Sequence, residues 1–219
     1  MSRGTIRPAV PPPRPIVYPD SDGKPMSDNT EQFDYIVDTK LGLEWLYADR
    51  VDVFVAGDLL WYPVEGNNKI RIGPDVLVAF GRPKGRRGSY MQWLEGGISP
   101  HVVFEIMSPK NTLKEMARKL AFYDLYGVEE FYRFDPNRAQ LKGWRRVDGV
   151  MTEIKDMNGW VSPRLDVRFE LADGKMVLHG PDSRPFRDYV EVSRTAELQK
   201  QRADRLAAKL RALGVDPEQ

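Results

Sequence analysis

The sequence predicts an α/β (α+β) domain with a separate helix at its C-terminal end. The run Val76–Phe80 is continuous and apolar, as suits a strand buried on both faces, and Val102–Ile106 reads as a second buried strand. The segment from Asp28 instead repeats its apolar residues at steps of three and four, as a helix does. The tail from about Tyr189 to Leu213 shows the same steps in an otherwise polar composition, which sets it apart from the domain.

Residues 1–26 read as an extended arm. Pro8, Pro11, Pro12, Pro13, Pro15 and Pro19 block helix, and Asp20 to Gly23 make a polar turn cluster. The domain proper is expected over 27–188. Its first helix should begin near Asp28, which has capping-box spacing to Glu31, and should bury Phe33, Ile36, Val37, Leu41, Trp45 and Leu46. Val51, Val53 and Val55 then alternate as a strand, Leu59 to Val64 forms a second run, and Ile70 to Ile72 resumes the pattern after a turn at Gly66-Asn67-Asn68. After the two apolar strands, Thr112 to Tyr126 reads as a helix closed by Gly127. Phe131, Tyr132 and Phe134 make one more strand. Residues 139–180 look like short antiparallel strands with turns at Asp148-Gly149, Asn158-Gly159 and Asp173-Gly174.

In 189–219, Ala196, Gln199, Ala203, Leu206, Leu210 and Leu213 recur as in a short coiled coil, with six basic residues against two acidic ones between Arg194 and Arg211. Self-association into a homodimer is the preferred reading; a helix packed back on its own domain is the other.

Composition excludes several chemistries. Without cysteine there is no disulfide framework, thiolate metal site or cysteine nucleophile. No stretch approaches the roughly 20 apolar residues of a membrane span, and the N-terminus lacks the apolar core of a signal peptide, so a cytoplasmic protein is expected. The net charge of +1 neither demands nor excludes a nucleic-acid partner. His101 and His179 stand alone, outside any metal-ligand spacing. Phosphate-binding and dinucleotide-binding glycine loops are missing.

Two acids are conspicuous on these strands. Asp75 follows Pro74 and opens one, and Glu105 sits inside the other between Phe104 and Ile106. Carboxylates are seldom buried unless paired with a cation, because desolvating the charge is costly. From spacing alone, either each acid caps a strand or pairs with an arginine, or the two share a hard cation such as Mg²⁺.

The surrounding text carries a resemblance. Gly73-Pro74-Asp75-Val76 is followed by Val103-Phe104-Glu105-Ile106-Met107-Ser108-Pro109, then by Lys119, Tyr123, Gly127-Val128, Glu130-Phe131-Tyr132 and Asp135-Pro136. The ending Lys209 to Pro217 continues the match. This ordered series resembles a large family of bacterial restriction-endonuclease-like proteins, numerous in cyanobacteria, within the PD-(D/E)XK nuclease superfamily. The resemblance implies a restriction-endonuclease-like mixed sheet flanked by helices. It also implies Mg²⁺ or Mn²⁺ held by Asp75, Glu105 and Ile106, and DNA as the substrate.

Met107 departs from the superfamily pattern, since the usual lysine stands two residues after the glutamate. Lys119 is the replacement the resemblance suggests, and Glu115, Lys119 and Tyr123 share one helical face. A surface lysine paired with Glu115 is the alternative. Lys110 and Lys114 suit phosphate contact, and so do Arg82, Lys84, Arg86 and Arg87, unless they form an ordinary exposed basic loop. Glu44 is a weaker candidate for an acid on the first helix. Two functions stand: a metal-dependent endonuclease with Asp75, Glu105 and Lys119 as its catalytic residues, or a silent DNA-binding or assembly protein that keeps the fold. Target preference and strand specificity are not written in the sequence.

Overall fold

In the computed structural model, residues 15–23, 25–186, 189–213 and 216 are described. In chain order the elements are α1 (Thr30–Leu46), β1 (Val53–Gly57), β2 (Trp61–Tyr62), β3 (Val76–Phe80), β4 (Tyr90–Met91), β5 (Val102–Ile106), α2 (Leu113–Leu125), β6 (Glu130–Asp135), β7 (Gln140–Val147), β8 (Val150–Glu153), β9 (Arg168–Ala172), β10 (Lys175–His179) and α3 (Tyr189–Ala212). Six strands form one mixed sheet in the order β1-β3-β5-β6-β7-β8. Within this sheet β5 and β6 run parallel and the other neighbours antiparallel, and α2 makes the crossover between β5 and β6.

The apolar character of β3 and β5 is explained by a layer on each face. On one side Ile36 and Leu43 of α1 pack with Val76, Val78, Phe104 and Ile106, joined by Phe169 and Leu178 of the β9–β10 hairpin. On the other, Tyr123 and Val128 pack with Leu77, Ala79, Val103 and Phe131. Alternate residues of each strand serve opposite layers, so both must be apolar. The tight hairpins at Asp148-Gly149 and Asp173-Gly174 join β7 to β8 and β9 to β10 as expected, with both residues of each pair at positive φ.

Four expectations need correction. The helix cap is Asn29, not Asp28: its side chain accepts from Gln32 N at 2.8 Å, while Gln32 Oε1 accepts from Asp28 N. The return bond from Gln32 therefore reaches the residue before the cap, not the N–H of the cap itself, so the arrangement is only akin to a capping box. The buried stripe of α1 is Gln32, Ile36, Thr39 and Leu43, whereas Phe33 is 43% and Trp45 62% exposed. Apolar residues surround this helix on most sides, so periodicity alone does not select the face. Finally, the run from Leu59 to Val64 shrinks to Trp61–Tyr62, because Pro63 has no N–H to extend it. Ile70 to Ile72 contributes one bridge, Trp61 to Ile72, and no strand.

Candidate metal and catalytic site

Val76 pairs with Phe104 and Leu77 with Val103, so one further antiparallel step sets Asp75 opposite Glu105 on the face covered by α2. Pro74 is tolerated because it lies just before β3, where no ladder donor is required. Asp75 Oδ2 accepts from the Ile106 N–H at 2.6 Å. The Ile106 carbonyl in turn accepts from Gln32 Nε2 at 2.7 Å. Thus α1 and the ends of β3 and β5 are tied at one point.

Glu105 is 2% exposed and fully engaged. Its Oε2 accepts from Lys119 Nζ at 2.6 Å, and its Oε1 accepts from the Tyr123 hydroxyl. Lys119 and Tyr123 are one turn apart on α2, so the same helical face delivers both donors. Lys119 also reaches the Gly73 carbonyl at 3.4 Å. Glu115 instead accepts from Asn111 Nδ2.

Burial, and then the nearby Glu105 charge, push Asp75 well above the usual carboxylate range. Glu105 is also raised by burial, against the opposing pull of Lys119 and Tyr123. Burial alone would lower Lys119, but the charges of Glu105 and Asp75 outweigh it and hold the ammonium above its ordinary value. Two desolvated acids with one ammonium leave an excess of negative charge, which a divalent cation would relieve.

The residues present fit such a cation. Among the described residues no cluster of three or more His, Asp or Glu side chains is arranged around a metal position. Two carboxylates and a carbonyl nevertheless suit Mg²⁺, which keeps several waters and takes phosphate oxygens. Asp75 commits one oxygen to Ile106 N–H, and the Ile106 carbonyl has a second lone pair beyond its bond to Gln32. The site opens on a cleft of about 700 Å³, walled by Asp75, Lys119, Asp58, Asp28, Arg71 and Lys110 among others.

The other expected residues divide. Lys110 reaches this cleft but pairs with Asp28 at 2.8 Å, and Asp28 also accepts from the Ser108 hydroxyl. Lys114 is exposed on the first turn of α2. The basic loop is largely spoken for: Glu95, in a turn of 3-10 helix that the sequence reading missed, pairs with Arg82 at 2.9 Å and Arg87 at 2.6 Å. Arg87 also lies over the Phe54 ring at 3.8 Å, and Lys84 Nζ donates to the carbonyls of Tyr47 and Ala48. Only Arg86 of the four is exposed without such a partner among the described residues. Glu44 pairs with Lys40 on α1 and does not line the cleft. His101, at the entry to β5 as expected, accepts from Phe80 N. Gln32 and Arg71 escaped as site residues because nothing in their spacing points to the cleft, and Asp28 was read only as the start of the first helix.

The family model described as "Uma2: Putative restriction endonuclease" matches residues 24–168, which include Asp75, Glu105, Ile106 and Lys119. The chain belongs to the Uma2 family. Its acid pair and Lys119 therefore lie inside the matched segment of a Uma2 protein, whereas α3 lies beyond it. A solved structure described as a "putative nuclease belonging to DUF820", from Anabaena variabilis ATCC 29413, is similar at 13% identity over 65% of this chain and 78% of that one, with a TM-score of 0.47. No curated protein matches the chain. Among the described residues no helix is long and apolar enough to cross a membrane.

Proposed function

We propose that this Uma2 protein is an endonuclease that hydrolyses DNA phosphodiester bonds with Mg²⁺ or Mn²⁺. One observation carries the reading: Asp75 and Lys119 wall an open cleft, and Glu105, on the strand beside Asp75, is bound to Lys119 just beneath that wall. A divalent ion held by Asp75, Glu105 and the Ile106 carbonyl would supply a bound water of lowered pKa and positive charge toward the phosphate. Gln32 and the Ile106 N–H fix the carbonyl and Asp75, so the ligands are oriented before any substrate arrives. Lys119 Nζ, held at the glutamate, offsets negative charge on the phosphate oxygens as water attacks. Tyr123 keeps Glu105 in one rotamer.

The silent-protein reading rested on Met107. That side chain is buried, 4% exposed, and offers nothing to the cleft. Lys119 places an ammonium beside Glu105 from another element, which answers the missing lysine and favours hydrolysis. In this reading Lys114 and Arg86 contact phosphates along the strand, and two copies associate through α3, whose Leu198, Leu206, Leu210 and Leu213 are exposed.

The deciding assay incubates full-length protein with supercoiled plasmid in Mg²⁺, Mn²⁺ or chelator. Nicked or linear product should form with metal only, and Glu105→Gln should abolish it. A folded wild-type protein that leaves plasmid and linear duplex intact under all metal conditions would overturn the proposal.

A further inference from the structure

On the wall of the cleft beside the acid pair carboxylates outnumber cations, with Asp20, Asp28, Asp58 and Glu115 among them. A polyanion entering it needs positive charge that is not already committed. Of the described cations on the wall, Lys119 is bound to Glu105 at 2.6 Å and Lys110 to Asp28 at 2.8 Å. Arg71 differs. Among the described residues it has no carboxylate partner, and its one hydrogen bond runs from Nη1 to the Tyr62 hydroxyl at 3.3 Å. A guanidinium has five N–H donors in a planar fork, so most of its capacity is unspent.

Its position is nonetheless fixed. Ile72, the next residue, is tied to Trp61 by hydrogen bonds in both directions, at 2.7 and 3.1 Å. Tyr62 is fully buried, donates to the Pro19 carbonyl at 2.7 Å and meets the Tyr18 ring edge-on. Two residues beyond Arg71, the Gly73 carbonyl touches Lys119 Nζ, and Asp75 follows. One short segment therefore carries a held but uncommitted guanidinium and a metal-site carboxylate on the same wall.

We infer that Arg71 binds a phosphate oxyanion of the nucleic-acid strand, next to the phosphodiester that lies at Asp75 and Glu105. A fork of N–H donors matches two phosphate oxygens, which a lone ammonium cannot do. The inference rests on the nuclease reading for the ligand's identity, but it concerns binding and not hydrolysis.

The test titrates full-length wild type, Arg71→Gln and Arg71→Lys into a short fluorescent DNA duplex across a range of NaCl concentrations. Arg71→Gln should weaken binding about tenfold and reduce the slope of log affinity against log salt by about one. Arg71→Lys should keep the slope and lose part of the affinity. Calorimetric Mn²⁺ binding should be the same in all three proteins. Arg71→Gln with wild-type affinity and slope overturns the inference while leaving the nuclease reading intact. A wild type that binds the duplex but never cleaves overturns hydrolysis alone, and the slope difference still supports Arg71. A wild type that does not bind overturns both.

Discussion

Lys119 Nζ and Glu105 Oε2 stand 2.6 Å apart across the gap between α2 and β5, with Lys119 only 18% and Glu105 3% exposed at the side chain. A pair this enclosed holds charge in place, and removing one member strands the other. Breaking such a buried pair costs about 3–5 kcal/mol. Lys119→Met should therefore lower the melting temperature in chelator. It should also abolish plasmid cleavage while binding Mn²⁺ at least as tightly as wild type, because the ammonium competes for Glu105 and is no ligand itself. Cleavage at the wild-type rate would end the role assigned to Lys119.

Tyr123→Phe isolates the other donor to Glu105. The ring should keep its stacking on Trp61 and its packing on Phe131, so only the hydroxyl is lost. A hydrogen bond to a charged acceptor contributes about 1.5–3 kcal/mol. The expected loss is roughly 4–10 °C in melting temperature for a chain of this size, with weaker Mn²⁺ binding as Glu105 gains rotamer freedom. Unchanged metal affinity would leave Tyr123 a packing residue.

The raised carboxyl of Asp75 fixes a sign for pH dependence. Burial and Glu105 make the native state hold a proton that the unfolded chain releases in the ordinary carboxylate range. Between that range and the raised value the native state binds more protons, so the metal-free protein loses stability as pH rises. Glu105 contributes in the same direction. Lys119, whose folded value is raised, acts only in the alkaline range, where its contribution is lost as pH climbs through that value. Metal binds the ionised carboxylates, so the Mn²⁺-induced rise in melting temperature should grow with pH across the acidic window. Asp75→Asn should flatten that growth. Parallel melting curves with Mn²⁺ and with chelator would contradict the metal site.

The strands that build the site were legible because apolar runs bounded by Pro74 and Pro109 leave few alternatives to a doubly covered sheet. Asp75 and Glu105 stood out for the same reason, as charges where the pattern demands hydrocarbon. Lys119 was legible only through a family resemblance and a helical spacing. The contact of Tyr123 with Glu105 depends on how α2 rotates over the sheet, which no local pattern records. The basic loop misled for a physical reason: the partner of Arg82 and Arg87 is Glu95, eight or more residues away on a turn without a hydrophobic signature. Gln32 is hidden more deeply, since its bond to Ile106 spans 74 residues and gives a polar side chain a buried place on α1.

That loop yields a stability prediction where the sequence suggested a DNA contact. Arg87→Ala removes an enclosed ion pair with Glu95 and a guanidinium stacked on Phe54. It should destabilise the fold by about 3 kcal/mol, read as a lower denaturation midpoint. Arg86→Ala should be close to neutral in stability and should instead reduce the salt dependence of DNA binding. The reverse pattern would return the loop to its expected role.

The last prediction concerns α3. Leu198, Leu206, Leu210 and Leu213 are all exposed, at 62, 53, 38 and 78%. Their spacing of eight, four and three keeps them near one side of a helix, and an apolar stripe left in water is an incentive to associate. From Arg194 to Arg211 the helix also carries Arg194, Lys200, Arg202, Arg205, Lys209 and Arg211 against Glu197 and Asp204, so like charges oppose a close pairing. Salt screens that repulsion without weakening the apolar contact. Full-length protein should therefore sediment as a dimer at micromolar concentration, and more completely as NaCl is raised. Truncation after Ser193 should give a monomer with the melting temperature of the remaining domain preserved. In the nuclease reading, the truncated protein should still nick plasmid but should lose linear product, because opposite-strand cuts need two sites held together. A full-length monomer at all salt concentrations would remove this role from α3, and a dimer that survives truncation would move the contact to the domain.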